Sequence, residues 1–365
     1  MTILFDHQTF SIQSYGGISR YFAQLCLGIN ATAGNQTVLG VRWSDNVYLN
    51  TPPPFSKRQF IGRGRLLYAI NQQYSHTLIR QGRFDLLHTT YYDPAFLGTL
   101  GNRPFVMTIH DMIHERLHAQ FQELRPDRFV EGKRRLAEKA SAIIAVSEYT
   151  RQDIIALLNV DPARVHVVHH ASSLPAQSSK ALPQPDRSYL LFVGNRGQYK
   201  NFDSLLQALA LLIDLSPLRL VCAGGGVFSA EEQSRVAALG LVGRVEQRPF
   251  QTDEELLMLY KGAVAFVFPS LYEGFGIPIL EAFAGGCPCI LSRSSSLPEV
   301  AEDAALYIEP TSSDDIAQTI RLLIADVALQ RSLVHKGYQR LRAFTWQQTV
   351  NQTLTVYQSV LDAYR

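Results

Sequence analysis

Short apolar runs alternate with longer amphipathic segments along most of the chain, and this alternation predicts an α/β fold. In the first half, strands are predicted near 2–6, 104–110, 142–146 and 165–169, among helices near 17–30, 63–82, 122–140 and 148–158. In the second half, strands are predicted near 189–193, 218–223, 244–247, 263–269 and 287–292, with helices near 201–213, 229–240, 252–260 and 278–284. Helices near 312–325, 327–343 and 346–364 follow, with no further strand predicted among them.

A change of composition separates the two halves. Residues 172–187 read SSLPAQSSKALPQPDR and are rich in Ser, Pro and Gln, as a linker would be. We therefore predict a Rossmann-like, doubly wound domain over 1–172, a linker over 173–187, a second such domain over 188–345 and a crossover helix over 346–365 that returns toward the first domain. Two open parallel sheets that face each other would form a cleft, because ligands bind beyond the carboxyl ends of parallel strands.

The composition excludes several classes of protein. The 34 Lys and Arg nearly balance 32 Asp and Glu, so the net charge of +2 provides no overall basic field for nucleic acid. The four cysteines, at 26, 222, 287 and 289, are too few for a disulfide framework, and their spacing fits neither a zinc pair nor a Cys-x-x-Cys redox motif. We find no signal-peptide core and no apolar run of about 18 residues, so a cytoplasmic protein that does not span a membrane is predicted.

Two candidate sites follow strands of the first half. Gly16 and Gly17, in YGGISRY, precede a predicted helix, where adjacent glycines let the backbone approach a phosphate or a sugar, or simply form a turn. His110 and Asp111 stand where a buried strand ends, so the imidazole would face the cleft. An ordinary hydrogen-bonded loop histidine would show the same pattern.

The second half carries a candidate anion site in LLFVGNRGQYKN. Gly194 ends a strand, and Arg196, Lys200 and Asn201 precede a helix, where cations and helix N–H groups together suit a diphosphate. A solvent-facing loop with Asn201 as the N-cap of the helix is the plainer interpretation. The later glycine run at 224–226 is either a nucleotide contact or a flexible loop.

Two glutamates, Glu273 and Glu281, lie on either side of a predicted helix start in FPSLYEGFGIPILEAFAGGCP. Pro278 suits the first turn of a helix, and the glycines at 285 and 286 would end it. Glu281 could merely compensate the helix dipole, which contributes at most about 1 kcal/mol. Two glycines directly after Glu273 carry a cost in chain entropy unless a ligand must approach the backbone, so a binding site is favoured here.

The stretch from Pro269 to Pro310 resembles the E-x7-E block of the retaining GT-B glycosyltransferases of the GT4 family. The resemblance extends along nearly the whole chain through YGGISRY, SAIIAVSEYTRQDI, FVGNRGQYKN and FTW, in that order. It implies transfer of a hexose from a nucleotide diphosphate donor with retention at the anomeric carbon. It also implies that the C-terminal domain binds the nucleotide sugar and that the N-terminal domain binds the acceptor.

Roles carried over from the family rest on matching positions. Glu273 would face the donor sugar, while Glu281 would bind the ribose of the nucleotide. The family's basic pair that stabilises the departing diphosphate corresponds to Arg196 and Lys200. The donor would also meet Gly194 and the backbone amides of Gly274, Phe275 and Gly276.

In the first domain, His110 matches the histidine that contacts the 6-hydroxyl of the donor sugar and its neighbouring backbone. Gly16 and Gly17 match the loop between acceptor and phosphate. The chain departs from many relatives at His169–Ser173, where an Asn-Gly pair is usual, so the contacts made there are not carried over.

The donor, the acceptor and a membrane contact are inferred from the family resemblance and from two basic stretches. The resemblance to bacterial mannosyltransferases of polysaccharide synthesis favours GDP-mannose and a saccharide or lipid-linked acceptor, and the absence of Asp-x-Asp predicts transfer without a metal ion. Two basic stretches could bind an anionic bilayer at the inner face of the cell membrane, although interspersed acidic residues favour a solvated surface. Their cations are at positions 57, 58, 63, 65, 133, 134, 135 and 139. The alternatives are a GT-B nucleotide-sugar epimerase and a non-catalytic sugar-binding scaffold.

Overall fold

The computed structural model describes residues 1–49, 51, 60–124, 128–174, 189–215 and 217–365. Its strands are β1 (Thr2–Phe5), β2 (Gln36–Leu39), β3 (Leu86–Thr89), β4 (Phe105–Ile109), β5 (Ala142–Ala145), β6 (Val165–Val167), β7 (Tyr189–Val193), β8 (Arg219–Ala223), β9 (Val245–Gln247), β10 (Ala265–Phe268), β11 (Cys289–Ser292) and β12 (Ala305–Ile308). Its helices are α1 (Gln8–Ile12), α2 (Gly17–Ala31), α3 (Arg63–Gln81), α4 (Leu97–Leu100), α5 (Ile113–Leu117), α6 (Arg128–Lys139), α7 (Glu148–Leu158), α8 (Phe202–Leu211), α9 (Ala230–Ala238), α10 (Asp253–Gly262), α11 (Ile277–Ala284), α12 (Leu297–Ala301), α13 (Ser313–Ala325), α14 (Val327–Leu341) and α15 (Trp346–Tyr364).

The chain forms two compact units. The first unit consists of Met1–Arg116, Arg125–His170 and Trp346–Arg365, and the second of Leu117–Leu124 and Ala171–Thr345. Each unit contains one parallel sheet of six strands. The prediction of two Rossmann-like α/β halves is therefore confirmed.

The sheet of the first unit has the strand order β2-β1-β3-β4-β5-β6, so the order reverses between β1 and β3. Strands β3, β4 and β5 are buried along their whole length, which explains why β4 and β5 stand out as continuous apolar runs. Ligand sites in such sheets lie at the reversal point, beyond the carboxyl ends of the strands.

The C-terminal helix α15 belongs to the first unit and packs on α2. The two helices approach closely because Gly28 has no side chain: a Cβ atom there would collide with Val350 of α15. Farther along α15, the fully buried Tyr357 forms a hydrogen bond with Nδ1 of His88 on β3. The predicted return of the last helix to the N-terminal half is confirmed.

The sheet of the second unit has the order β12-β11-β10-β7-β8-β9 and reverses between β7 and β10. This is the strand order of the dinucleotide-binding doubly wound fold. The apolar sides of α8 and α13 pack against its strands, through buried residues that include Leu205, Leu209 and Ile320. The apolar positions that recur with the helical period in these helices are therefore the ones that face the sheet.

Three strands were missed from the sequence. Strands β2 and β12 are edge strands of four residues each with partly exposed side chains, so neither forms a clear apolar run. Strand β3 is buried but short, and it contains His88 and Thr89 among its four residues. The prediction of no strand beyond 292 is therefore wrong, because β12 precedes α13 and pairs with β11.

The remaining predictions concern one helix, the linker, the basic stretches and the cysteines. The predicted helix at 122–140 is wrong in its first part, since a 3₁₀ turn occupies Gln122–Leu124 and α6 begins at Arg128. Most of the predicted linker, 175–187, and the predicted basic residues 57 and 58 lie outside the described residues. All four cysteines are free and buried. In the part of the chain that is described, each helix is too short or too polar to cross a bilayer.

Candidate functional site

The carboxyl ends of β7 and β10 bring two loops together at the reversal point of the second sheet. Lys200 closes a 3₁₀ turn, Gln198–Lys200, in the loop after β7, and Glu273 lies in the loop after β10. The backbone N–H of Leu271 donates to the carbonyl of Tyr199 at 2.8 Å and joins the two loops. Parallel strands end at the same edge of a sheet, which is why residues 73 positions apart in sequence meet here.

Lys200 and Glu273 form an ion pair, with Nζ 2.6 Å from Oε1. The lysine and glutamate side chains are only 13% and 14% exposed. The ammonium also lies over the rings of Tyr199 and Phe268, 5.1 Å and 5.2 Å from their centres. These contacts hold a compact positive charge at a defined point, which suits stabilisation of an anion.

Serines at the carboxyl end of β11 hold the Glu273 loop in place. Ser295 accepts a hydrogen bond from the Glu273 backbone N–H at 2.9 Å, and the Ser296 hydroxyl donates to the Glu273 carbonyl at 2.9 Å. The Ser294 hydroxyl donates to the carbonyl of Ser270 at 3.0 Å. The position of the carboxylate therefore depends on a third strand end.

Helix α11 starts directly after the glycine pair that follows Glu273. Gly276 is its N-cap, with a φ of 95° that favours glycine, and a Cβ atom there would lie 2.9 Å from Cδ2 of Leu297. Pro278 lies in the first turn, and Gly286, with a φ of 62°, follows the last turn. The predicted limits of this helix are confirmed, and its N-terminus presents backbone N–H groups beside Glu273.

Glu281 is a buried carboxylate and not an exposed charge near a helix end. Its side chain lies in the second turn of α11, and its Oε2 accepts a hydrogen bond from the Tyr260 hydroxyl at 3.1 Å. Burial raises the pKa of Tyr260 well above its usual range, and the charge of Glu281 adds to the rise. Simple compensation of the helix dipole does not account for a carboxylate in this position.

The Arg196 side chain is directed toward the glycine run after β8. Its Nε donates to Glu232 Oε1 at 2.6 Å, and Nη1 donates to the carbonyl of Gly224 at 3.1 Å. Its Nη2 donates to the carbonyls of residues 225, 226 and 227, and the guanidinium covers the ring of Phe228. The structure thus joins Lys200 with Glu273 but places the Arg196 guanidinium in a separate network.

The glycine run bound by Arg196 requires its glycines. Gly224, Gly225 and Gly226 all have a left-handed backbone, with φ values of 81°, 72° and 72°. Gly194, at the end of β7, has a φ of 116° and donates to the carbonyl of Ala223 at 2.8 Å. A Cβ atom at Gly225 would lie 2.7 Å from the Gly194 carbonyl oxygen, so these two strand ends pack tightly.

In the first unit, His110 follows β4 as predicted, and its ring is buried. It stacks on His170 with the ring centres 5.4 Å apart, and Nδ1 lies 3.3 Å from Nε2 of His170. Nε2 of His110 has no hydrogen-bond partner among the described residues. Burial lowers the pKa of His110 to about 3, so the imidazole is neutral at physiological pH.

Gly16 and Gly17 stand at the start of α2, as predicted from their sequence. Gly16 is the N-cap, with an extended backbone, and its carbonyl accepts from the Ser19 hydroxyl at 3.1 Å. The Ser19 backbone N–H donates to Oε1 of Gln13 at 3.1 Å. Gln13 and Ser19, both in the first unit, therefore hold the loop in place through these hydrogen bonds.

Two family models match the chain, Glycosyltransferase Family 4 over residues 15–172 and Glycosyl transferases group 1 over residues 175–340. The chain belongs to glycosyltransferase family 4. The predicted resemblance to this family is thereby confirmed.

Relatives of this family 4 glycosyltransferase carry different substrate names. This chain is 32% identical over 232 residues to the O-antigen chain mannosyltransferase B of Escherichia coli. The matched region covers 60% of this chain and 61% of the relative. The chain is 28% identical over 317 residues to the D-inositol 3-phosphate glycosyltransferase of Salinispora tropica, covering 78% of this chain and 66% of the relative. The chain thus spans less than two thirds of the length of both relatives.

Among solved structures, the family 4 glycosyltransferase is similar to the sucrose-phosphate synthase of Thermosynechococcus elongatus. The TM-score is 0.77 with 21% sequence identity, and 99% of each chain is covered. A likeness at this level of identity shows a shared fold, which agrees with the predicted GT-B architecture.

Four residues that contact the candidate site residues were missed from the sequence. Ser295 and Ser296 follow the apolar run of β11, so the same strand-end rule that singled out Glu273 could have found them. Glu232 belongs to a capping box that begins at Ser229, a signal present in the sequence SAEE. Tyr260, deep in α10, gave no signal at all. Among the described residues, no group of three or more His, Cys, Asp and Glu is placed to hold a metal ion.

Proposed function

We propose that this chain is a retaining glycosyltransferase that moves a hexose from a nucleotide diphosphate donor to a hydroxyl group of a saccharide or lipid-linked saccharide. Mannose from GDP-mannose is our first choice of donor. Membership of glycosyltransferase family 4 and the mannosyltransferase relative from Escherichia coli support this choice.

The observation that carries the proposal is the Lys200–Glu273 pair at the reversal point of the second sheet. A cation and an anion held 2.6 Å apart, beside the N-terminus of α11, match the two ends of a nucleotide sugar. The ammonium and the helix N–H groups suit the diphosphate, and the carboxylate suits the hydroxyl groups of the sugar. A donor bound here replaces the contact between the two side chains with contacts to each.

The chemistry follows from where charge develops. The bond between the anomeric carbon and the diphosphate oxygen breaks, and its electron pair leaves with the diphosphate. The acceptor oxygen forms the new bond on the same face of the sugar, and its proton passes to a diphosphate oxygen. Lys200 stabilises the charge that grows on the leaving group, and this interaction strengthens in the transition state.

Other residues bind and orient the donor in this proposal. Glu281 accepts hydrogen bonds from the ribose hydroxyls, and the Tyr260 hydroxyl holds its carboxylate in place. Arg196 acts through the glycine run at 224–226, whose carbonyls it binds, and its positive charge favours the diphosphate. His110 offers a neutral ring nitrogen to the 6-hydroxyl of the sugar. Gly16 and Gly17 let the acceptor and the phosphate approach the backbone.

Contact with an anionic membrane on the cytoplasmic side remains part of the proposal, with fewer cations than the sequence suggested. Arg63 forms an ion pair with Asp45, and Lys133 is only 3% exposed and lies 3.0 Å from Glu115. Among the described cations of the two basic stretches, those at positions 65, 134, 135 and 139 are exposed. Sedimentation with vesicles of phosphatidylglycerol tests this contact, which is excluded if the protein stays in the supernatant at low salt.

The nucleotide is identified by a thermal-shift screen with GDP-mannose, UDP-glucose and ADP-glucose. A ligand at about 100 times its dissociation constant stabilises the fold by about 2.7 kcal/mol, so the correct donor raises Tm clearly. We expect the largest rise with GDP-mannose, and a chromatographic assay then follows transfer to an acceptor. Isomerised donor formed without any acceptor would support the epimerase alternative, and no rise with any donor would refute the proposal.

A further inference from the structure

A cavity lies in the first unit, beside the loop that carries Gly16 and Gly17. Its walls come from the segment at 10–14, the segment at 43–46 and the first turns of α3, and its volume is about 170 Å³. A cavity of about 150 Å³ holds one benzene molecule, so this space has room for a single six-membered ring. We refer to it as the Trp43 cavity.

The walls of the Trp43 cavity combine apolar and polar surfaces. Trp43, Ile12 and Leu67 supply apolar area, while Gln13, Ser14 and Asp45 supply hydrogen-bonding groups. A pyranose ring has the same two-sided character, since its C–H faces are apolar and its hydroxyl groups lie around its edge. An indole can cover the C–H face while amide and carboxylate groups bind the hydroxyls.

The walls are held rigidly by a fully buried amide. Oδ1 of Asn71 accepts from the backbone N–H groups of Arg42 and Trp43 at 2.9 Å and 3.1 Å. Its Nδ2 donates to the carbonyl of Trp43 at 2.8 Å and to the Ser11 hydroxyl at 2.9 Å. Asn46 donates to the Gln13 carbonyl at 2.7 Å and joins the two sides. A ligand therefore meets a preorganised site, which lowers the entropy lost on binding.

The polar groups of the cavity keep hydrogen-bonding capacity. The carboxylate of Asp45 accepts hydrogen bonds from both Nη atoms of Arg63. These bonds fix the carboxylate, and its remaining lone pairs can accept from further donors. Oε1 of Gln13 accepts from the Ser19 backbone, so the amide nitrogen of Gln13 can still donate to a ligand. The neutralised Asp45–Arg63 pair suits an uncharged ligand with several hydroxyls better than an anion.

Gln13 connects the cavity to the glycine loop. Its Oε1 lies 2.5 Å from the position that a Cβ atom at Gly16 would take, so the cavity wall and the loop share this side chain. We infer that the Trp43 cavity binds one sugar ring of the acceptor, with Trp43 against the ring face and Asp45 and Gln13 at its hydroxyls. This inference rests on the proposed function, because only a glycosyl acceptor needs a sugar site next to that loop.

The test uses octyl glycosides of mannose, galactose and N-acetylglucosamine as probes. Saturation-transfer NMR reports their binding without any catalytic step, and the donor assay reports acceptor KM. Trp43→Ala is the direct variant. Ser14→Trp adds bulk to the cavity wall at an exposed position. Ser141→Trp is its matched control, at an exposed serine elsewhere in the same unit.

We expect at least one glycoside to bind, and both cavity variants to raise its KM by about tenfold or more while donor KM changes by less than about twofold. Ser141→Trp should behave as wild type. The inference is overturned if no glycoside binds, or if Ser14→Trp and Trp43→Ala keep wild-type acceptor KM with unchanged folding. Failure of the proposed function is separate, because it appears as the absence of any donor-dependent thermal shift in wild type.

Discussion

Replacing Lys200 with alanine removes the positive charge that lies 2.6 Å from Glu273 Oε1 at the reversal point of the second sheet. The side chain is 13% exposed, so water can replace the ammonium only in part. Because leaving-group departure adds charge to the diphosphate, we expect kcat to fall by roughly 10²–10³, about 3–4 kcal/mol, with a smaller loss of donor affinity. Lys200→Arg should restore part of the rate, since a planar guanidinium replaces a compact ammonium.

The same change has a predictable effect on stability. The Glu273 carboxylate is only 14% exposed in the wild-type protein. Loss of the Lys200 cation leaves this carboxylate unpaired, which costs about 1–3 kcal/mol. Tm should therefore fall, and the double variant Lys200→Ala with Glu273→Gln should recover part of the loss because the unpaired charge is removed. Lys336→Ala is a matched control, because Lys336 lies 2.9 Å from Asp303 but is 40% exposed. Its Tm should stay close to that of wild type, because an exposed ion pair contributes little to stability.

The assay is single-turnover and steady-state transfer with the donor found by thermal shift, with folding checked by circular dichroism. A folded Lys200→Ala protein with kcat within about threefold of wild type would refute the reasoning, since less than about 1 kcal/mol would then be involved. A large fall in kcat for Lys336→Ala would equally contradict it, because a general loss of positive charge would be the cause.

Gly225→Ala should lower Tm more than Gly226→Ala, because both have a φ of 72° but only a Cβ atom at Gly225 meets the backbone; equal shifts in a melting experiment would contradict this. Glu281→Ala should raise donor KM by about tenfold or more and change kcat less, and the reverse pattern in steady-state kinetics would indicate a direct catalytic role. The free energy of unfolding should fall as the pH is lowered from 6.5 to 5. The unfolded chain protonates His88 and His110 near pH 6.5, whereas burial lowers the pKa of both to about 3 in the folded protein, so each histidine lowers the free energy of unfolding by about 2 kcal/mol at pH 5. A flat Tm across that range would count against this reasoning. Transfer should survive EDTA, and loss of activity restored by Mg²⁺ or Mn²⁺ would show a required metal ion.

Much of the site could be predicted because its signals are local in sequence. Pro278 and Gly286 mark the two ends of α11, and the glycines after Glu273 mark a close approach of the backbone. The strand-end rule singled out the loops after two predicted strands, which contain Lys200 and Glu273. These inferences need only the nearest neighbours of each residue and the direction of a parallel strand.

Other contacts depend on residues far apart in the chain. Glu281 meets Tyr260 across 21 positions, and Arg196 meets Glu232 across 36. The sequence interpretation gave Arg196 and Lys200 equal access to a diphosphate, but the guanidinium binds the carbonyls of the glycine run. Side-chain direction in a loop is set by whichever acceptors the neighbouring strands supply, and the local sequence does not contain that information.

The two α/β halves, the limits of α11 and the loops that carry Lys200 and Glu273 can be predicted from local sequence. Hydrophobic periodicity and helix termini are encoded over a few neighbouring residues. The strand orders, the short strands β2, β3 and β12, and the partners of each charged side chain are fixed only when distant segments pack together. This packing is part of the tertiary structure. It also formed the Trp43 cavity, whose walls come from three segments joined by Asn71. Such features arise from packing between distant segments, where burial and hydrogen-bond satisfaction select one arrangement among many that the local sequence permits.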